Sequence, residues 1–132
     1  MSNSLRYTVE FDLKQTPTSM LWTFIATPSG LEKWFADKVT QSDNEITFAW
    51  EGQENRAIQA TNRAMNCAKY RWCEPNERGE ITQMEMRISV SELTKTTVLS
   101  ITDFVAYAEE LEEAKELWEH QVETLKRVVG CK

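Results

Sequence analysis

The run from Glu109 to Val129 constrains this chain most, because it reads as a long amphipathic helix whose greasy side must be covered along its whole length. At about 100° per residue, Leu111, Ala114, Trp118, Val122, Leu125 and Val129 share one stripe, and Glu109, Glu112, Glu113, Glu116, His120 and Glu123 lie opposite. Acidic residues crowd the first turns, Lys126 and Arg127 sit in the last, and Gly130 follows where a left-handed cap is needed. Only the start lacks a signal, Ala108 being a poor N-cap. At about 1.5 Å per residue the run is roughly 30 Å long, so its stripe needs a partner of similar span.

Upstream, period-two alternation supplies that partner. Leu5, Tyr7, Val9, Phe11 and Leu13 alternate with Arg6, Thr8, Glu10, Asp12 and Lys14, a strand with one buried face. Thr16, Pro17, Thr18 and Ser19 break it and offer capping hydroxyls for a short helix over Met20 to Ile25. Thr27 to Gly30 punctuate again, and a second short helix is predicted through Leu31, Trp34 and Phe35. Strands follow near Lys38 to Gln41, Glu45 to Trp50, Arg56 to Asn62, Ala68 to Glu74, Ile81 to Ser91 and Thr96 to Ala106. Within them, Ile46, Phe48 and Trp50 share a face, as do Tyr70 and Trp72, then Met84, Met86, Ile88 and Val90, then Leu99 and Ile101. One apolar face per strand is the mark of an antiparallel sheet covered on one side. The expected class is α+β: a curved antiparallel sheet in meander order around the long C-terminal helix, with two short helices after strand 1. No connection is long enough for an interdomain linker, so residues 1–132 read as a single domain.

Composition narrows the function. No stretch approaches the roughly 20 apolar residues of a membrane span, and Met1 to Lys14 lacks the greasy core of a signal peptide, so a cytoplasmic protein is expected. The 21 acidic residues exceed the 15 basic ones and leave a net charge of -6, unfavourable for holding nucleic-acid phosphates. Cys67, Cys73 and Cys131 form an odd set without CxxC spacing, so free thiols are expected rather than a disulfide or zinc site. The chain contains no Walker loop, dinucleotide fingerprint or zinc-protease helix, and no cofactor or metal is implied.

Catalytic candidates are few, and none is assigned. His120 is the only histidine and falls opposite the apolar stripe, exposed beside Glu116. Cys67 and Cys73 would lie about 20 Å apart along one strand, too far to share a metal, and a reactive thiol would depend on Lys69 and Arg71. Asp103 shares a face with Leu99 and Ile101 near the end of the last strand, where a rim carboxylate capping a turn or pairing with a base is expected before a catalytic one. Trp50, Tyr70, Trp72, Met84, Met86 and Trp118 say more. They face the space between sheet and helix, as a solid core or as an adaptable pocket in which Met flexes and a Trp N–H or Tyr hydroxyl orients a ligand. Arg56 and Arg87 offer a cationic handle for an anionic ligand, or simply stand at the surface.

Several local motifs point to a family. Thr27-Pro28-Ser29-Gly30-Leu31-Glu32-Lys33-Trp34-Phe35-Ala36 has a Pro-x-Gly-Leu turn before a Trp-Phe pair, Tyr70-Arg71-Trp72 is an aromatic and basic mid-sheet strand, Thr96 to Thr102 is a threonine-rich last strand, and Trp118, Val122 and Leu125 give a Trp-x3-apolar-x2-Leu spacing. Together they resemble the START-like superfamily, and within it the group related to the activator of the Hsp90 ATPase. The resemblance implies a helix-grip fold whose sheet and helix enclose a space that relatives use for lipids, polyketides or other hydrophobic molecules. Two positions depart from the pattern: Leu117 replaces the usual glycine before the helix tryptophan, and Asp103-Phe104 replaces a His and a Gly.

The first functional expectation is therefore a binding protein, not an enzyme, for a hydrophobic or amphipathic small molecule. Its cavity would be lined by Phe48, Trp50, Tyr70, Trp72, Met84, Met86, Ile88, Leu99, Ile101, Trp118 and Val122. The alternative is a protein-interaction module of the co-chaperone type with a packed interior. A cyclase-like or hydrolase-like enzyme ranks third, for want of an inward histidine or paired acids.

Overall fold

The computed structural model describes residues 3–63 and 66–131, without the side chains of 61–63. Seven strands form one antiparallel sheet: β1 (Leu5–Asp12), β2 (Lys38–Ser42), β3 (Glu45–Trp50), β4 (Gln53–Arg63), β5 (Cys67–Trp72), β6 (Gln83–Val90) and β7 (Thr97–Val105). Their order, β1-β7-β6-β5-β4-β3-β2, is a six-strand meander with β1 added beside β7, so the chain's first and last strands are neighbours. The first strand and β2 end up on opposite edges, and α1 (Thr18–Ala26) and α2 (Pro28–Leu31) carry the chain between them. The last element is α3 (Leu111–Val129). The expected helix-grip architecture is observed.

The expected alternation holds through the middle of the strands and fails at two ends, where Leu5 of β1 and Val90 of β6, expected on the buried face, are exposed beyond the reach of the covering helices. Inward-facing Tyr7, Phe48, Tyr70, Met84, Met86, Leu99 and Ile101 are buried with Trp118, Val122 and Leu125 of α3 in one core. Register brings Tyr7 opposite Asp103 across the β1–β7 pair, and Tyr70 opposite Met84 across β5–β6.

Three local expectations change. The second short helix stops at Leu31, and Trp34 and Phe35 lie in the turns that follow. Those turns leave Phe35 free to project between sheet and α3. The hydroxyls before α1 do not cap it: Pro17 occupies the cap, and Thr16 Oγ1 donates instead to Leu13 O at 2.7 Å. The uncertain start of the long helix resolves as a 3-10 turn, Ala108–Glu110, in which the Tyr107 backbone N–H donates to the Glu110 carboxylate at 3.1 Å. At the other end Gly130 adopts φ 77°, and Cys131 N donates to Lys126 O at 2.8 Å, the left-handed cap that its position predicts.

Candidate functional site

The packing of α3 on the sheet is not uniform. Toward its C-terminal half Val122 and Leu125 are fully enclosed, but toward its start the stripe contributes Ala114, whose small side chain leaves the opposing strands uncovered. A concavity of about 360 Å³ opens there, lined by Tyr7, Phe35, Trp50, Trp72, Met84, Asp103, Phe104, Ala114, Leu117, Trp118 and Gln121. Its walls are mainly apolar. Two adjacent clefts, one of about the same volume and one of about 470 Å³, have walls that are about half polar. Of these three, the concavity between sheet and helix is the best suited to an apolar ligand.

Phe35 holds the aromatic wall together. Its ring stacks on Trp118 at 5.5 Å between centroids and 13° between planes, and meets the edges of Phe48 and Trp50, each at 5.2 Å. Its backbone carbonyl accepts hydrogen bonds from the Trp50 indole N–H at 2.7 Å and from Gln121 Nε2 at 3.0 Å. One turn residue thus ties β3 to α3. Helical periodicity gave no reason to place Phe35 in a site, although the Trp-Phe motif had singled it out.

Of the eleven residues expected to line a cavity, Trp50, Trp72, Met84 and Trp118 border the concavity. The other seven, Phe48, Tyr70, Met86, Ile88, Leu99, Ile101 and Val122, lie in the packed layer beneath and form none of its surface. Alternation sends them inward as expected, but other elements fill the space they face. Tyr70 shows this: its hydroxyl donates to Ile25 O of α1 at 2.6 Å, deep in the core. The orienting hydrogen bonds expected of Trp50, Tyr70 and Trp118 are likewise satisfied internally.

The polar corner of the concavity lies at the β1–β7 pair. Trp118 Nε1 donates to the Tyr7 hydroxyl at 3.0 Å, and Asp103 stands opposite Tyr7 in the sheet. Burial pushes the Asp103 carboxyl up to about 6, while the Phe104 backbone N–H at 2.8 Å and the Trp118 indole pull the other way. Burial raises the Tyr7 phenol as well, with the neighbouring Asp103 charge adding to it. Asp103 neither caps a turn nor pairs with a base, in contrast to expectation. A carboxyl easier to protonate in the folded than in the unfolded chain contributes stability below its unfolded range, and loses it as pH rises through about 6. Asp103→Asn should therefore stabilise the protein at pH 8 by about 1–2 kcal/mol, discounted for the open mouth, with the gain vanishing near pH 4. Urea denaturation of both proteins at the two pH values measures it.

The other candidates fall outside the site. His120 is exposed. Arg56 pairs with Glu45 and Glu74, Arg87 pairs with Glu85, and neither borders the concavity. Cys67 is buried, and burial and Glu85 push its thiol up, overriding Lys69 and Arg87, so it is not an activated nucleophile. Among the described residues no three His, Cys, Asp or Glu side chains are grouped to hold a metal ion.

Comparison with known proteins fits this geometry. A model of the START-like superfamily domain matches residues 1–131. The chain belongs to the START-like superfamily. Among solved START-like neighbours, a Bacteroides fragilis protein determined by solution NMR shares 37% identity over 96% of this chain and 92% of that one, with a TM-score of 0.65. The Aha1 dimer of Colwellia psychrerythraea superimposes with a TM-score of 0.77 at 13% identity, covering 95% of this chain and 96% of that one. CalU16 from Micromonospora echinospora gives 0.69 at 17% identity, over 96% of this chain and 75% of that one. The last two likenesses carry the fold alone. No protein of curated function matches the sequence. Among the described residues no helix is long and apolar enough to cross a membrane. The two departures from the START-like pattern, Asp103-Phe104 and Leu117, all border the concavity.

Proposed function

We propose that this START-like protein binds a hydrophobic or amphipathic small molecule in the concavity between the sheet and the first half of α3. The observation that supports it is an apolar space, walled by Phe35, Trp50, Trp72 and Trp118, placed where Ala114 withholds a side chain from an otherwise close-packed core. Its volume of about 360 Å³ is at the small end for ligand sites. A void of about 150 Å³ admits benzene, so this one suits two or three rings rather than a two-chain lipid. The exposed Leu117 marks the mouth.

Ala114→Trp tests the reading, because it fills the space from a helix position whose native side chain is only half-buried. The expected result is a folded protein of near-native stability that has lost saturable binding of a neutral naphthalene alcohol, followed by isothermal titration calorimetry. Undiminished binding would place the ligand elsewhere. If the native protein bound no apolar probe, carried no co-purified mass in native mass spectrometry and enriched a single protein from its host, the packed docking module would be the better account.

A further inference from the structure

Among the described residues, the wall of the concavity holds one formal charge, and it is negative. Asp103 is the only Asp, Glu, Lys, Arg or His side chain among its lining residues. No cation answers it: the ion pairs among the described residues leave Asp103 out, and its carboxyl accepts from the neutral Phe104 backbone N–H at 2.8 Å. Aromatic rings surround the same space, and their electron-rich faces attract a desolvated cation. The approach has the same sign. The cleft that shares Phe104, Ala114 and Leu117 with the concavity adds Glu77, Glu110 and Glu113, and no basic residue. An anionic lipid would bring a second negative charge beside Asp103 in a poorly hydrated corner, which both groups resist.

We propose that the concavity selects an apolar ligand bearing a single protonated amine, with the ammonium on the Asp103 carboxylate and the hydrocarbon among the indole rings. The inference rests on the ligand-binding reading above and adds the chemical class. One carboxylate with no internal cation provides for one ammonium. A hydrogen bond between charged partners there should favour the amine over a matched neutral ligand roughly ten- to a hundredfold.

Three probes with one ring system decide it: 1-naphthylmethylamine, 1-naphthalenemethanol and 1-naphthoate, each titrated calorimetrically at pH 7.5. The expected order is amine, then alcohol, then acid, with Asp103→Asn lowering amine affinity at least about tenfold more than alcohol affinity, so that the preference for the amine disappears. If the amine binds no better than the alcohol, or the acid binds best, the amine selection is overturned and the cavity reading stands. If none of the three saturates, both fall. The native protein provides an independent test should Asp103→Asn fail to fold. Between pH 7.5 and pH 5 amine affinity should drop roughly tenfold as Asp103 takes up a proton, with alcohol affinity flat. Tyr7 on β1 stays protonated throughout, and the facing groups of β5, β6 and α3, Trp72, Met84, Trp118 and Gln121, do not titrate. Glu77, Glu110 and Glu113 remain in Asp103→Asn, so a pH effect that persists in that variant belongs to them and contradicts the assignment.

Discussion

Gly30→Ala is expected to destabilise this protein by about 3 kcal/mol or more, enough to leave it largely unfolded if its stability is ordinary. A Cβ at this position would stand 1.9 Å from the Thr23 carbonyl oxygen and 2.6 Å from the Phe24 Cα. Both are backbone atoms of α1, which cannot rotate aside. The strand-to-strand crossing therefore depends on α2 touching α1 at a residue without a side chain. Relief would require α2 to move, and Phe35, whose backbone N–H donates to Leu31 O at 2.8 Å, would move with it and break the aromatic wall. Gly130→Ala is the control. Its Cβ would meet nothing within 4 Å, and strain at φ 77° alone should cost about 1 kcal/mol. Chemical denaturation of the two variants separates close approach from backbone conformation, and equal losses would contradict the account.

Trp118→Ala should cost about 3–5 kcal/mol and weaken ligand binding at the same time. The indole is only 5% exposed, stacks on Phe35 and donates to the Tyr7 hydroxyl. Its loss opens a void and removes Tyr7's partner. From the sequence, Trp118 could be either a packing residue, with a large stability loss on truncation, or a cavity residue, with a small one. The structure makes it both, with one face in the core and one on the concavity. Trp118→Phe retains a ring against Phe35 but removes the hydrogen bond and part of the buried ring volume, so a smaller loss of about 1–3 kcal/mol is expected. Urea denaturation with probe titration on the same samples measures both effects.

The architecture was legible because each strand has one apolar face and α3 one apolar stripe, and periodicity reports such faces directly. Glu45 to Trp50 was read to the residue. The concavity was less legible. Alternation tells which side chains point inward but not what meets them, so Met86 and Trp72 looked equivalent, although one is sealed and the other borders the open space. Phe35 was hidden by a helix predicted where turns stand. Ala114 carried the most useful signal, as the smallest residue on a stripe of larger ones. Asp103 and Leu117 were visible as departures from the START-like pattern, and both prove to belong to the same wall.

The central claim is that a ligand enters this wall, and the five tryptophan indoles test it directly. Trp50, Trp72 and Trp118 border the concavity, whereas Trp22 and Trp34 do not. Titrating 1-naphthalenemethanol into 15N-labelled protein and following the indole N–H resonances should shift the first three together, to saturation at one equivalent, while the other two stay in place. Unmoved resonances for Trp50, Trp72 and Trp118, or shifts confined to Trp22 and Trp34, would contradict it.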